Sequence, residues 1–283
     1  MIYIMNTKLL NKTVKIKTSL PILPTPLPMS HNSEKFTGLA QIYARHRPGY
    51  PDKAISFILE KCELEENSPV ADIGAGTGIL ARALSEAGLK DIIGIEPNLD
   101  MRSLAKNINT TPGTITYKAG TAEETGLPDD SKDAILSAQA FHWFEPEKSL
   151  VEFHRILKKN GHCVLLWNVR DETDSFTREY GEIMFDHSTN TSDEVKRGVS
   201  GKKLLMSPLF QSVAVMEFQN NQKLDREGLF GRAFSTSYAP REGKLKASLE
   251  ESLEALFKTH ATTGRVNLKY ITSVYIASKI EPA

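Results

Sequence analysis

One stretch of this 283-residue sequence specifies its own local structure: VADIGAGTG, residues 70–78. Small and apolar residues surround Asp72, glycines follow at every second position, and an amphipathic run over 79–87 comes next. Such a glycine turn needs positive φ angles, and the missing side chains let a ligand lie directly against the backbone. The stretch therefore predicts a strand, a tight turn and a helix whose N-terminal amides face a ligand crevice.

The spacing of these glycines distinguishes two classes of nucleotide-binding protein. The dinucleotide fingerprint is Gly-x-Gly-x-x-Gly, whereas this chain has Gly-x-Gly-x-Gly and no third glycine at Leu80–Ala81. The run DIGAGTG, residues 72–78, resembles motif I of the class I S-adenosylmethionine (SAM) dependent methyltransferases. A nicotinamide-dependent oxidoreductase shares the strand-glycine-acid pattern and is the alternative.

Charge and composition narrow the choice of partner. Lys+Arg and Asp+Glu both number 35, so no net charge attracts nucleic acid or an anionic membrane. No apolar run approaches the ~20 residues that span a bilayer, and the two cysteines have neither disulfide nor metal-ligand spacing. We predict a soluble, cytoplasmic monomer or homodimer that acts on a small molecule, without nucleic-acid, membrane or metal partners.

The first 33 residues differ in composition from the rest. They contain four lysines, no acidic residue and prolines at 21, 24, 26 and 28, which favour an extended, exposed segment. A transit peptide would be rich in arginine, and this segment has none. We predict that 1–33 is a disordered leader, or an extension before a true start at Met29, and that 34–283 is the methyltransferase domain.

Strands alternate with helices as far as residue 170, which implies right-handed crossovers and a doubly wound sheet. The strands after the glycine turn are predicted at 91–96, 114–118, 131–137, 162–167, 213–219 and 266–276. The fold class is α/β: a Rossmann-like seven-stranded sheet, mostly parallel with an antiparallel last strand, plus a helical cap. Residues 66–170 form the cofactor-binding core, and 171–210 and 225–262 the cap and substrate region.

Glu96 ends the second predicted strand, 18 residues beyond Gly78. In nucleotide-binding folds an acid at this place accepts hydrogen bonds from both ribose hydroxyls. Its alternative is a helix cap, but Asn98 fills that role better. The resemblance further implies that the glycine turn holds the methionine part of the cofactor and that the loop after the third strand holds adenine. The cofactor-binding residues are then Asp72, Gly74, Ala75, Gly76, Gly78, Glu96, Pro97, Thr121, Ala122, Glu123, Gln139 and Ala140.

The string AQAFHWF, residues 138–144, follows the fourth predicted strand. It is typical of a broad group of SAM methyltransferases that includes trans-aconitate-type small-molecule enzymes. His142 has a pKa suited to removing a proton from an acceptor near neutral pH, although a polar wall residue or helix-start partner is equally natural.

The segment 36–51 resembles the leader of the same group, which implies a lid over the cofactor. A helix is predicted from Ser33, with Tyr43 on its apolar face. Tyr43 and Arg47 contact either the cofactor's carboxylate or the substrate; their alternatives are packing for the tyrosine and a surface salt bridge for the arginine. Arg232, Ser237 and Tyr238 are candidates for the substrate wall, with turn and surface structure as the alternative.

These features predict transfer of a methyl group from SAM to a small-molecule acceptor. Most of the acceleration comes from placing the nucleophile ~3 Å from the methyl carbon and in line with the breaking bond. An oxygen on a small, carboxylate-bearing metabolite is the first choice, since no Asn-Pro-Pro-Tyr or Asp-Pro-Pro-Tyr string for amino-group methylation is present. A SAM-binding regulatory or interaction protein without turnover is the other alternative, and it ranks ahead of the oxidoreductase.

Overall fold

The computed structural model describes residues 33–108, 113–189 and 201–280. Residues 1–32 of the predicted leader lie outside this part of the chain. Residues 190–200 of the predicted cap region 171–210 also lie outside it, and residues 201–205 are helical.

Eight helices and seven strands are labelled here in chain order, within those described ranges. The helices are α1 (Ala40–His46), α2 (Asp52–Lys61), α3 (Ile79–Glu86), α4 (Leu99–Asn107), α5 (Pro146–Ile156), α6 (Ser175–Asp186), α7 (Arg226–Phe234) and α8 (Gly243–His260). The strands are β1 (Val70–Ile73), β2 (Ile92–Ile95), β3 (Ile115–Lys118), β4 (Lys132–Ala138), β5 (Leu157–Arg170), β6 (Phe210–Leu224) and β7 (Val266–Lys279).

The strands form a single sheet in the order β3-β2-β1-β4-β5-β7-β6. Pairing is parallel from β3 to β5, and β7 runs antiparallel to both β5 and β6. The predicted doubly wound sheet with an antiparallel last strand is therefore confirmed. Chain order reverses between β1 and β4, so the carboxyl ends of these two strands border the crevice where such sheets bind ligands.

Helices cover both faces of the parallel strands, as expected for strands that are buried on both sides. On one face, Ile58 of α2 and Leu84 of α3 pack against β1 and its neighbours. On the other face, Phe153 and Ile156 of α5 do the same. A separate apolar cluster joins α6, α7 and α8 to the carboxyl end of β6 and the amino end of β7. These three helices lie in the regions predicted as the cap.

Two predictions about the elements need correction. The continuous helix predicted from Ser33 is wrong, because Gly38 adopts φ +76° and separates a short 3-10 turn, Ser33–Phe36, from α1. The last three strands are also longer than predicted. The length of β6 was underestimated because most residues between its two ends are partly or fully exposed. The sequence there shows little of the apolar alternation by which a strand is predicted.

Membrane crossing receives no support from the described ranges: none of their helices is both long enough and apolar enough to pass through a bilayer.

Glu152 of α5 fixes the connection between β3 and β4. Its buried carboxylate accepts hydrogen bonds from Thr125 N at 2.9 Å and from the Thr125 hydroxyl at 2.5 Å. Arg155 donates from Nε to Oε2 at 2.8 Å and from Nη2 to Oε1 at 2.7 Å. Burial raises the pKa of Glu152, but these hydrogen bonds outweigh it and the net shift is downward.

Glu152→Gln is expected to destabilise the fold by about 1–3 kcal/mol at pH 7, because it removes the charge that both partners bind. A carboxyl whose folded pKa is lowered stabilises above its unfolded pKa of about 4.3, and this contribution is lost as pH falls through the folded value. The difference between the variant and wild type should therefore shrink below about pH 4. Urea unfolding at several pH values measures it.

Glu147→Gln, at an exposed position in the first turn of the same helix, is the control. Equal stability of the Glu152 and Glu147 variants at pH 7 would contradict the role given to Glu152.

Candidate active site

The glycine turn joins β1 to α3 as predicted, with φ angles of +72° at Gly74, +55° at Gly76 and +78° at Gly78. A Cβ on Gly74 would lie 2.6 Å from the Cβ of Ala140, so the turn and the end of β4 can approach only because this residue is glycine. A Cβ on Gly76 would meet no atom within 4 Å. Gly76 therefore leaves its backbone open to the cavity that it lines.

A cavity lies at the carboxyl ends of β1 to β4. It encloses about 730 Å³, counting the open space at its mouth, which is within the range of small-molecule sites. Its charged lining residues in the described part of the chain are both acidic, Glu96 and Glu123. This cavity, called here the first cavity, therefore favours a ligand that carries positive charge.

Glu96 is buried at the end of β2 and connects it to the glycine turn. Its Oε2 accepts a hydrogen bond from Gly76 N at 2.8 Å, and its Oε1 accepts one from Asn98 N at 2.8 Å. Asn98 caps α4 through Met101 N, as predicted. Burial raises the pKa of Glu96, and the two backbone hydrogen bonds oppose that shift. Each oxygen keeps a second lone pair with which to accept from a ligand.

The loop after β3 lines the same cavity through Thr121, Ala122 and Glu123. Internal bonds shape it: the Thr121 hydroxyl accepts from Glu124 N at 3.1 Å, and Glu123 Oε1 accepts from Glu145 N at 2.8 Å. The threonine hydroxyl can still donate its proton to a ligand. The loop is thus preformed at the position where the resemblance implies adenine.

Gln139 follows β4 with φ +57°, a left-handed conformation that is uncommon for a residue other than glycine. Its backbone N–H is held by Leu166 O at 3.0 Å. Backbone strain of this kind persists where the surroundings enforce it, often at functional sites. Here it places Gln139 on the wall of the first cavity and of a second one beside it.

The segment 36–51 lies across the first cavity. Phe36 packs edge-on against Trp143, with ring centroids 5.7 Å apart. Two β6 side chains hold the other end: Asn220 donates to Gly49 O at 3.0 Å and Gln222 donates to His46 O at 2.8 Å. The predicted lid is therefore tied to the far edge of the sheet.

The second cavity lies under this segment and encloses about 350 Å³, open space included. It adjoins the first cavity at Tyr43 and Gln139, which line both. Its charged lining residues in the described ranges are Arg47 and Arg232. Arg47 donates to Ser235 O at 3.0 Å and stacks over Tyr43, 4.7 Å from the ring centre.

Most of the predicted cofactor residues line the first cavity: Gly74, Gly76, Glu96, Pro97, Thr121, Ala122, Glu123, Gln139 and Ala140. Asp72, Ala75 and Gly78 do not line it, since their places are within the strand and the turn behind it. Three further residues were predicted near the reacting groups: Tyr43 lines both cavities, Arg47 lines the second, and His142 lines neither. The His142 ring is buried against Trp143, with centroids 4.8 Å apart, so neither the general-base role nor that of a polar wall residue receives support from its position.

Ser237 and Tyr238 line neither cavity, whereas Arg232 does. Tyr50 and Asn168 line the second cavity, although the sequence patterns assigned them no role. Asn168 belongs to the carboxyl-terminal part of β5, so the strand-end rule that identified Glu96 could have found it.

Asp72 is 1% exposed, and neither of its oxygens accepts a hydrogen bond from a described residue. Burial raises its pKa to about 7, and the nearby carboxylate of Glu96 adds to the shift. The backbone of Ala81 and the charge of Arg82 oppose this shift only in part. Ionisation of this buried carboxyl is therefore costly, and a cation close to it would lower that cost.

Comparison with known proteins identifies the family. Residues 71–165 match the family described as Methyltransferase domain. An uncharacterised methyltransferase of Mycobacterium tuberculosis is 32% identical over 244 residues, which is 85% of this chain and 93% of that protein. The chain belongs to the class I SAM-dependent methyltransferases. The alternative of a nicotinamide-dependent oxidoreductase is therefore wrong.

Other relatives agree with this assignment. An uncharacterised methyltransferase of Schizosaccharomyces pombe is 25% identical over 245 residues, covering 84% of this methyltransferase and 94% of the yeast protein. The structure of a putative type II methyltransferase from Anaeromyxobacter dehalogenans superimposes with a TM-score of 0.57 at 21% identity, over 84% of this chain and 99% of that one. The latter likeness concerns the fold.

Asp72→Asn is expected to stabilise the protein at high pH. The folded pKa of Asp72 is about 7, against about 3.9 when unfolded, so between these values the folded state binds more protons and wild-type stability falls as pH rises. Asparagine is neutral throughout. At pH 8 the variant should be more stable by about 2–4 kcal/mol, and near pH 4 this advantage should vanish.

Urea unfolding at pH 4, 6 and 8 measures the effect, with Asp186→Asn at the exposed end of α6 as the control. A constant difference between wild type and Asp72→Asn across this range would show that Asp72 is not a strained carboxyl.

Proposed function

We propose that this methyltransferase binds SAM in the first cavity and moves its methyl group to an oxygen of a small molecule in the second. The observation that carries the proposal is the pair of adjoining cavities with opposite charge, which meet at Tyr43 and Gln139. SAM carries a sulfonium and an ammonium group, which an acidic cavity attracts. The alternative of a SAM-binding protein without turnover shares the first cavity but gives the second no role.

The residues of the first cavity fit the parts of SAM. The open backbone at Gly76, within the turn from Gly74 through Ala75 to Gly78, suits the methionine portion, with Asp72 as additional negative charge. Glu96 keeps two lone pairs for the ribose hydroxyls. Pro97 and the loop Thr121–Glu123 suit adenine, and Gln139–Ala140 borders the sulfonium side. Arg47, stacked on Tyr43, is the positive group suited to the cofactor's carboxylate.

Bound SAM would supply a methyl group that its positive sulfur already activates. The acceptor oxygen would form its bond to the methyl carbon as the carbon–sulfur bond breaks, and the electron pair of that bond would remain on sulfur. Placement of the nucleophile about 3 Å away and in line supplies most of the acceleration. Where the acceptor oxygen carries a proton, the carboxylates of Glu96 and Glu123 are charged groups on the wall of the first cavity that could accept it.

Calorimetric titration with SAM, S-adenosylhomocysteine (SAH) and NAD tests the cofactor. We expect micromolar binding of the two sulfur compounds and none of NAD. Glu96→Ala should weaken SAH binding about 100-fold, or about 2.7 kcal/mol, because it removes a charged acceptor for the ribose. Circular dichroism checks that the variant is folded.

Glu124→Ala is the control, since its exposed side chain belongs to the same loop region but lines neither cavity. Equal effects of the two substitutions, or NAD binding as tight as that of SAH, would refute the proposal. Formation of SAH from SAM when an acceptor is added distinguishes turnover from binding without turnover.

SAM binding near pH 7 is expected to release protons. A cation close to Asp72 lowers the pKa of that carboxyl from about 7, so up to about half a proton leaves it on binding. Titrations in phosphate and in Tris, which differ in ionisation enthalpy, measure the number released. Asp72→Asn should reduce it; release that is unchanged in this variant would exclude Asp72 as the source.

A further inference from the structure

We propose that the methyl acceptor carries a carboxylate and that Arg232 binds it in the second cavity. This inference rests on the proposed function and adds the chemical class of the acceptor to it. Arg232 is here an anchoring residue for the substrate.

The guanidinium of Arg232 is buried without a counter-charge. Its residue is 6% exposed, and Nε donates to the Tyr270 hydroxyl at 2.9 Å. Nη1 has no hydrogen-bond partner, and Arg232 forms no ion pair with any carboxylate of the described ranges. Arginine remains charged at any pH at which a protein folds, and a buried charge without a counter-charge destabilises the folded state. A partner that enters from outside would remove this cost.

The surroundings of Arg232 suit an anion. Tyr43, Tyr50, Gln139 and Asn168 offer polar groups on the wall of the cavity, and the described residues that line it include no acidic side chain. The planar guanidinium matches the geometry of a carboxylate, which it can bind through two parallel hydrogen bonds. The positive charge of the Arg232 guanidinium and its planar shape therefore both suit a carboxylate.

The carboxylate held by Arg232 is an anchor and not the methylated group. If it received the methyl group, it would become a neutral ester and leave the buried guanidinium unpaired in the product complex. The nucleophilic oxygen is then a different atom of the same molecule, directed toward Tyr43 and Gln139, where the two cavities meet. The space of about 350 Å³ limits the acceptor to a small metabolite.

Matched acids and amides test the proposal on the full-length protein saturated with SAH. The probes are succinate against succinamide and benzoate against benzamide, followed by thermal shift and by calorimetry. We expect at least one acid to raise the melting temperature and to bind ten times more tightly than its amide. Arg232→Gln should abolish this preference while SAH affinity changes less than twofold. Arg232→Lys, which keeps the charge but loses the planar fork, should retain part of the preference.

Arg226→Gln is the matched control, because Arg226 lies on the same helix with a side chain that is 59% exposed, and it should behave as wild type. Failure of both acids to bind better than their amides would overturn the proposal. Loss of SAH affinity in Arg232→Gln would also overturn it, since Arg232 would then serve the cofactor's carboxylate. Failure of the wild-type protein to bind SAH would instead refute the proposed function.

Discussion

The hydrogen bond from Gly76 N to Glu96 is the contact on which the rest of the site depends. It joins the turn after β1 to the end of β2, across two neighbouring parallel strands, with a donor–acceptor distance of 2.8 Å. The carboxylate is buried, so solvent does not compete for it, and it also holds Asn98 at the start of α4. One side chain thus fixes the turn, the adjacent helix and the floor of the first cavity.

The structure around the glycine turn could be predicted from the sequence because the signals for it are local. Glycines that need positive φ, an acid at a strand end and an asparagine cap each act through neighbouring residues. The amino-acid sequence alone was therefore enough to place Gly76 in the turn, Glu96 after a strand and Asn98 at a helix start. The roles of the cofactor residues remain predictions. Arg232 was named among several wall candidates, but its importance depends on Tyr270, 38 residues away, and on burial that no local pattern reveals.

The lid shows a second limit of sequence reasoning. Phe36 and Tyr43 share a helical spacing, yet Gly38 divides them between two elements, and Gly38 N donates to Asp100 at 2.9 Å instead of continuing a helix. The sequence also could not predict which way the side chain of His142 points. It follows β4 at the level of the cavities, but the 3-10 turn Phe141–Trp143 buries its ring and leaves Trp143 on the wall.

The way in which β6 holds the lid bears on how such an enzyme changes its substrate over evolution. Asn220 and Gln222 bind carbonyl oxygens of the lid backbone, at Gly49 and His46, and not its side chains. Mutations that alter the lid side chains on the second cavity therefore leave these attachments intact. If the second cavity receives the acceptor as proposed, side chains of the lid can change under selection while its position is inherited, which separates the evolution of specificity from that of the scaffold.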